Sequence, residues 1–342
     1  MNTFEVRPAD PTDAPALAGL LAQRHRRDSA RLPTLNTGFD EPSAWRSMVD
    51  ALLASSRCDA AVAVRGQAPV AFLAGERMLL SPADFASQFI PPHSIQVGIE
   101  GHAVADGEAP LPLYRALYAS LAQKWVDQGF FTHRLTVIPG DSEAQEAWVT
   151  LGFGRYMTAA TRATSVPVPT RANRGLTIER ASPEDIEDVV ELADCLNAWH
   201  WRAPMFWPVL PGPARAAREF NASALRNPDV PYFIAYEDGK AVGMQTFLRP
   251  GFTPPIVDQA KDVYLFEGVV SDDVRGGGVG AALLAHSMEW ANRAGYDTCT
   301  LHFASGNPSG APFWLGHGFE PVEHTMERTI DSRVAWARPT GS

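Results

Sequence analysis

The chain repeats a pattern of residues at an interval of 166 positions, and this duplication limits the folds that are open to it. The clearest match lies between residues 135–153 and residues 301–319. The paired positions, in order, are Leu135 and Leu301, Val137 and Phe303, Asp141 and Asn307, Ala144 and Gly310, Trp148 and Trp314, and Phe153 and Phe319. Because a repeat of this length is the size of a domain, the sequence predicts two copies of one fold in tandem.

Both halves show the same order of predicted elements. A short strand, a capping residue and a helix are followed by a hairpin, with turn signals at Gly66 and at Asp238-Gly239. A long strand, a helix, a strand, a helix and a final strand then complete each half. The predicted fold class is therefore α/β, of the mixed-sheet α+β kind, in both halves.

A change in composition marks the predicted boundary between the halves, because Pro167 and Pro169 interrupt the apolar pattern. The predicted division is an N-terminal domain over 1–165, a linker over 166–175, a C-terminal domain over 176–331 and a tail over 332–342.

Composition and net charge limit the partners, the location and the metal content that we expect for this protein. The net charge of −10 argues against a nucleic-acid or anionic-membrane partner. No stretch approaches the roughly 20 apolar residues that span a bilayer, and the N-terminus lacks the pattern of a signal peptide. The 3 cysteines are widely spaced and form neither a metal-binding pattern nor a disulfide framework. We therefore expect a cytoplasmic protein with no metal site, either a monomer or a homodimer.

A glycine-rich segment carries the strongest chemical signal. Residues 263–270 are apolar and predict a buried strand, whereas residues 283–291 have the spacing of a helix. Arg275-Gly276-Gly277-Gly278-Val279-Gly280-Ala281 therefore lies at a helix N-terminus, where free N–H groups and the helix dipole bind phosphate oxygens. The segment predicts a ligand that carries a pyrophosphate.

Two other interpretations of this segment compete. Gly276-x-Gly278-x-x-Ala281 satisfies the dinucleotide fingerprint, but such a unit opens a Rossmann domain, and only 62 residues follow position 280. A glycine turn with no ligand is the other alternative.

Interpreted as R-x-x-G-x-G, Arg275 to Gly280 resembles the coenzyme A pyrophosphate loop of the GNAT superfamily of acyl-CoA-dependent N-acyltransferases. The segment after the next strand is similar to that family's pattern N-x-x-A-x-x-x-Y-x-x-x-G-F, here with Asn307, Gly310, Trp314 and Gly318-Phe319. With the repeat, the whole chain resembles a tandem GNAT protein. The resemblance implies two consecutive GNAT-like domains, each with a mixed, mostly antiparallel sheet flanked by helices.

The resemblance also implies an activity: transfer of an acetyl group from acetyl-CoA to a primary amine of a small molecule, by direct attack in a ternary complex. The implied cofactor-binding residues are Gly268, Val269, Val270, Arg275, Gly276, Gly277, Gly278, Val279, Gly280, Ala281 and Asn307. Helix capping is the structural alternative for Asn307. A catalytically silent acyl-CoA-binding sensor or scaffold is the alternative function.

The first half lacks the glycine loop at the equivalent residues 95–118. Asp106 and Glu108 would repel a pyrophosphate, and Pro110 and Pro112 remove backbone donors. We therefore expect the N-terminal domain to be a degenerate copy that does not bind coenzyme A, which leaves one acyl-CoA for each chain.

For the catalytic base, the sequence favours Glu267, an acid on an otherwise apolar strand, with Asp262 as second choice, acting through water. An ion-paired carboxylate is the alternative role for Glu267. Trp314 occupies the position where the family often has a tyrosine acid, and an indole cannot titrate there. Either the thiolate leaves without an acid, or Tyr264, His302 or His317 replaces the tyrosine.

The predicted acceptor site lies in the segment 197–220, which is rich in aromatic residues and proline. Trp199, Trp201, Phe206 and Trp207 are predicted to line a pocket for a ring-bearing or apolar amine. A packing face between domains is the alternative.

Overall fold

The computed structural model describes residues 4–171, 175–249 and 251–337, so residues 172–174 of the predicted linker and 338–342 of the predicted tail lie outside it. The first half of the chain contains β1 (Glu5–Pro8), α1 (Ala14–Ser29), α2 (Pro42–Ala54), β2 (Cys58–Arg65), β3 (Ala68–Leu79), β4 (His93–Val97), β5 (His102–Val104), α3 (Pro110–Asp127), β6 (Thr132–Val137), α4 (Ser142–Thr150) and β7 (Gly154–Ala163). The second half contains β8 (Leu176–Arg180), α5 (Ile186–Trp201), α6 (Pro211–Ala224), β9 (Tyr232–Glu237), β10 (Lys240–Leu248), β11 (Asp262–Val270), α7 (Val279–Arg293), β12 (Thr298–Ala304), α8 (Gly310–Gly316) and β13 (Glu320–Thr329).

Both predicted hairpins are confirmed, and their turns use the residues that the backbone requires. Gly66, between β2 and β3, has φ +65°, and Asp238 and Gly239, between β9 and β10, have φ +50° and +76°. Two successive residues with positive φ make a turn whose twist matches that of the strands it joins.

The chain divides into two compact units. Unit 1 comprises Met1–Ser81, Phe89–Tyr156 and Val322–Ser342, and unit 2 comprises Pro82–Gln88 and Met157–Pro321. The sheet of unit 1 has the order β1-β2-β3-β4-β6-β13, with β5 also paired to β3, and that of unit 2 has the order β7-β12-β11-β10-β9-β8. In each sheet one pair is parallel, β4 with β6 and β11 with β12, and the other pairs within the sheet are antiparallel. The predicted mixed, mostly antiparallel sheets are confirmed.

These units do not follow the predicted division at 166–175, because each half gives its last strand to the other unit. In unit 1, Met326 of β13 lies opposite Leu135 of β6, and in unit 2, Ala160 of β7 lies opposite Leu301 of β12. The two strands occupy equivalent places in a duplicated fold, so either sheet offers a suitable edge. Residues 82–88, which precede β4 in the sequence, also belong to unit 2.

Two apolar clusters pack helices against the two faces of the sheet of unit 2. One apolar cluster packs α7 and α8 against the sheet through Phe247, Leu283 and Trp314. Another packs α5 against the opposite face through Leu192, with Met244 of β10 and Val269 of β11.

The 3 cysteines are free, with Cys299 buried and Cys58 and Cys195 half-buried. Among the described residues, no helix is both long enough and apolar enough to cross a membrane.

Candidate active site

Strands β11 and β12 separate half-way along their length. They pair in parallel from Asp262 opposite Thr298 to Leu265 opposite Leu301, where the described pairing ends. Beyond that point β12 continues to Ala304 beside β7, whereas residues 266–270 of β11 pair with β10 alone among the described strands. The separation leaves one side of β11 as an open edge inside the sheet of unit 2.

A β-bulge at Phe266 lies at the start of this open edge. Glu267 is opposite Thr246 and Leu265 is opposite Phe247, so Phe266 has no residue opposite it on β10. The extra residue changes the alternation of side chains along the strand. Leu265 packs in the α7 cluster, whereas Val269, two residues after Glu267, packs in the α5 cluster. The bulge therefore turns Glu267 to the α5 and α6 face.

The hydrogen-bond alternation shows which backbone groups face the open edge. Ser271 N donates to Val242 O at 2.9 Å, so Ser271, directly after β11, and Val242 of β10 form a hydrogen-bonded pair. Along an antiparallel ladder, hydrogen-bonded pairs alternate with pairs that are not hydrogen-bonded. Val269 therefore bonds to β10, and the N–H and C=O groups of Gly268 and Val270 point toward the open edge. Arg275 Nε donates to Val270 O at 3.1 Å, as this orientation requires.

The glycine loop follows the open edge directly. Gly276 and Gly278 have φ +82° and +90°, a backbone conformation that favours glycine, and a Cβ atom on either would meet no atom within 4 Å. Helix α7 begins at Val279, and its first N–H groups, those of Val279, Gly280 and Ala281, have no acceptor within the helix. Unpaired N–H donors next to these two unobstructed glycines suit a phosphate group.

The rest of the loop holds this conformation. Gly277 N donates to Val274 O at 3.2 Å, and a Cβ atom on Gly277 would lie 3.1 Å from that same oxygen. A Cβ atom on Gly280 would lie 3.3 Å from the Phe313 ring of α8. Gly277 and Gly280 therefore allow close packing within the loop and against α8.

Arg275 folds back over this loop. Its guanidinium carbon lies 3.9 Å from the centre of the Trp199 ring, and its Nη1 lies 2.7 Å from Asp272 Oδ1. Burial lowers the pKa of Arg275 below its ordinary value. Asp272 also accepts a hydrogen bond from Arg202 at 2.7 Å, and Asp273 pairs with Lys240 at 3.2 Å. The positive charges of these arginine and lysine partners therefore offset the negative charges of Asp272 and Asp273.

Asn307 caps the next helix and also holds Trp199. Its Oδ1 accepts hydrogen bonds from Ser309 N at 3.1 Å, Gly310 N at 2.9 Å and Trp199 Nε1 at 3.2 Å. The capping alternative for Asn307 is thus present, and Trp199 connects Asn307 with Arg275.

The two predicted carboxylates differ in their surroundings. Burial raises the pKa of Glu267 to about 7, and its buried Oε2 has no hydrogen-bond partner in the described part of the chain. Asp262 accepts hydrogen bonds from Thr253 at 2.6 Å and from Thr298 and Thr300 at 2.8 Å each. Burial raises the pKa of Asp262 to about 6 even though these three hydroxyl groups lower it. Of the two carboxylates, only Glu267 has a buried oxygen with no hydrogen-bond partner among the described residues.

Comparison with known proteins agrees with this geometry. Residues 193–319 match the model of the Acetyltransferase (GNAT) family. Within the second half of the chain, the similarity to this family covers most of the residues. No curated protein matches the chain in sequence.

Solved GNAT structures share the fold of nearly the whole chain. A GCN5-related N-acetyltransferase from Sphaerobacter thermophilus is 16% identical, with a TM-score of 0.58 and 96% of each chain covered. A tandem GNAT protein from the clavulanic acid biosynthesis pathway is 17% identical, with a TM-score of 0.50 and coverage of 96% of this chain and 99% of that one. A glucosamine N-acetyltransferase region of a fungal β-N-acetylglucosaminidase is 11% identical, with a TM-score of 0.54 and coverage of 96% and 38%. Family and fold together support an acyl-transfer function.

At the position of the usual GNAT tyrosine, Trp314 packs as a core residue. A Cβ atom on Gly268 would lie 3.0 Å from the Trp314 ring, and that ring makes an edge contact with Phe319 at 5.5 Å. Of the three replacement candidates, the Tyr264 hydroxyl lies 2.8 Å from His302 Nδ1, and His317 Nδ1 lies 2.7 Å from Phe313 O. Burial raises the pKa of Tyr264 and lowers that of His302 to about 4, so neither gains acidity suited to neutral pH.

The four aromatic residues predicted to bind the acceptor have different surroundings. Trp199 lies between Arg275 and Asn307, as described above. Trp207 packs on His200 at 4.8 Å, while Trp201 and Phe206 are 62% and 70% exposed. The aromatic residues beside Glu267 are others, namely Phe85, Phe220, Phe252 and Phe266. The predicted acceptor segment 197–220 includes Phe220, although sequence reasoning did not single it out. The other three were missed because they come from separate segments, and only the bulge brings Phe266 to the same face as Glu267.

Unit 1 contains an equivalent strand separation, but side chains close it. The parallel pairing of β4 and β6 ends at Val97 opposite Leu135, and β5 then pairs with β3. His102 Nε2 lies 2.7 Å from Thr136 O of β6, and its Nδ1 lies 2.9 Å from the Tyr114 hydroxyl. Trp148, the repeat equivalent of Trp314, stacks on Tyr114 at 4.6 Å.

Proposed function

We propose that the chain transfers an acetyl group from acetyl-CoA to the primary amine of a small molecule, at a single site in unit 2. The observation that carries this proposal is the open edge of β11, which leads into a glycine loop with free N–H donors and carries Glu267, whose buried Oε2 has no hydrogen-bond partner among the described residues. A turn that served only structure would need neither the open edge nor the acid.

The residues divide the work of binding. Acetyl-CoA supplies the acetyl group as a reactive thioester. Gly268 and Val270 would hold the pantetheine arm through their backbone groups, in the manner of an added strand. The N–H groups of Val279, Gly280 and Ala281 would hold the pyrophosphate, and Arg275 adds positive charge. Val269 contributes its side chain to the core beneath.

Glu267 is the proposed base. An acceptor amine must lose a proton before or as it attacks the thioester, and a carboxylate with a pKa of about 7 is suited to take it at neutral pH. Asp262 is the weaker candidate, because the hydroxyl groups of three threonines occupy its oxygens. We assign it the role of holding the paired ends of β11 and β12.

Unit 1 is proposed to bind no acyl-CoA. His102 occupies the opening between β5 and β6, and Glu108 beside the first turn of α3 pairs with Arg65 at 2.8 Å. The helix begins with Pro110, which has no N–H to donate.

Calorimetric titration with acetyl-CoA, followed by thiol release against a panel of amines, tests the proposal. We expect one site for each chain and release with at least one amine. Trp314 favours the alternative of a silent acyl-CoA-binding module, because it cannot protonate the leaving thiolate. Binding without thiol release for any amine would support that alternative, and no binding would contradict both.

A further inference from the structure

Four phenylalanines of unit 2 form a continuous aromatic cluster beside Glu267. Phe266, on the bulge, lies 5.8 Å from Phe220 of α6, 6.0 Å from Phe252 and 6.5 Å from Phe85, measured between ring centres. Phe85 and Phe220 stack at 5.7 Å with their planes 22° apart. We call these four residues the phenylalanine cluster.

The cluster is only partly covered by protein. Phe252 is 57% exposed, and Phe85, Phe220 and Phe266 are half-buried. Accessible ring surface that is gathered in one place is typical of ligand-binding grooves. Phe85 is contributed by the segment 82–88, which leaves its own half of the sequence to join unit 2.

Two polar groups lie at the end of the cluster. Thr246 is opposite Glu267 on the same face of the sheet, and its fully buried Oγ1 has no hydrogen-bond partner among the residues that the structure describes. The Oε2 atom of Glu267 is also buried and has no hydrogen-bond partner among these residues. Tyr232, next in the row across β9, is occupied, because its hydroxyl donates to Asn221 at 2.8 Å. A carboxylate oxygen and a hydroxyl group beside the cluster are therefore without a hydrogen-bond partner among the described residues.

We propose that the acceptor is a primary amine that carries an aromatic ring on a short linker, with its ring on the phenylalanine cluster and its nitrogen at Glu267 and Thr246. This inference rests on the proposed function. In the transfer, a nitrogen–carbon bond forms as the thioester carbon–sulfur bond breaks. Glu267 takes the proton from the amine, and the thiolate receives a proton from solvent. An aminosugar fits poorly, because its hydroxyl groups would face phenylalanine rings that offer no hydrogen bonds.

The test compares amines by thiol release at saturating acetyl-CoA. We expect kcat/KM for 2-phenylethylamine to exceed that for butylamine and for glucosamine by about tenfold or more. Phe220→Ala and Phe85→Ala should each remove most of this preference while the affinity for acetyl-CoA is unchanged. Trp336→Ala, which removes a 74% exposed ring in the C-terminal segment, is the matched control and should keep the preference.

Each other outcome has a separate meaning. If butylamine or glucosamine reacts as well as 2-phenylethylamine, the aromatic acceptor is wrong, although the transferase stands. If no amine releases thiol, the proposed function fails, and calorimetry of the CoA-saturated protein with 2-phenylethylamine then tests the site alone. Heat that disappears in Phe220→Ala would support the aromatic site, and the absence of heat would overturn it.

Discussion

The guanidinium of Arg275 lies 3.9 Å from the centre of the Trp199 ring, while the indole N–H of Trp199 bonds to Asn307. One side chain of α5 thereby connects the glycine loop to the start of α8. Trp199 was predicted to touch the acceptor, but its contacts suit it to position Arg275 toward acetyl-CoA.

Trp199→Ala should therefore weaken the binding of acetyl-CoA. A cation–π contact contributes about 1 kcal/mol when partly exposed, so we expect Kd to rise about fivefold in a calorimetric titration. Trp201→Ala is the control, because that ring lies two residues away on the same helix and is 62% exposed. Equal Kd values for the two variants would show that Trp199 does not act through Arg275.

Gly278→Asp should abolish binding, and unit 1 supplies a matched control. Gly278 has φ +90° and Gly107 has φ +80°, and a Cβ atom on either would meet nothing within 4 Å. The backbone cost of aspartate should therefore be alike at both positions. Only Gly278→Asp places a negative charge where the pyrophosphate would lie, so its Kd should rise about 100-fold or more. A similar loss in Gly107→Asp would contradict the single-site proposal.

The sequence predicted those parts of the fold and site that depend on local chemistry. Trp148 and Trp314, which match in the repeat, are both buried. Gly66, Gly276 and Gly278 have the positive φ that favours glycine, so glycine at these positions correctly predicted a turn or loop. Such signals are contained within a few residues of chain.

The features that the sequence did not predict depend on pairing between residues that are far apart in the chain. Nothing local indicates that Phe266 forms a bulge, because the bulge is a register of β11 against β10. The exchange of β7 and β13 is hidden for a related reason, since equivalent strands of a repeat have similar patterns. Phe85 was missed because its partners Phe220 and Phe266 lie more than a hundred residues away in the sequence.

Removal of β13 tests the strand exchange. Met326 is buried in the core of unit 1, and Glu327 bonds to Arg134 at 2.7 Å. A chain that ends at Pro321 would lose these contacts and leave β6 unpaired on one side. We expect the melting temperature to fall by about 10 °C and the amides of β6 to exchange faster with solvent. A chain that ends at Ile330 retains β13 and should behave as the full chain does. Unchanged β6 exchange in the shorter chain would contradict the pairing.

The pH dependence of catalysis should report the ionisation of Glu267. Its pKa is raised from 4.5 to about 7 by burial, and only the ionised form can accept a proton. We expect Glu267→Gln to lower kcat/KM by about a hundredfold or more at pH 8. The ratio of wild-type to variant rates, which cancels the titration of the amine itself, should be constant above pH 8 and fall about tenfold for each unit below pH 7.

Stability provides a second measurement of the same group. Because the pKa is higher in the folded state, the stabilisation associated with the protonated acid is complete below pH 4.5 and is lost as the pH rises through about 7. Glutamine stays neutral, so Glu267→Gln should gain in melting temperature relative to the wild type over this interval. A variant that shows this gain but keeps full turnover and an unchanged rate profile would leave Glu267 as a buried acid and move the base elsewhere, with Asp262 the next to substitute.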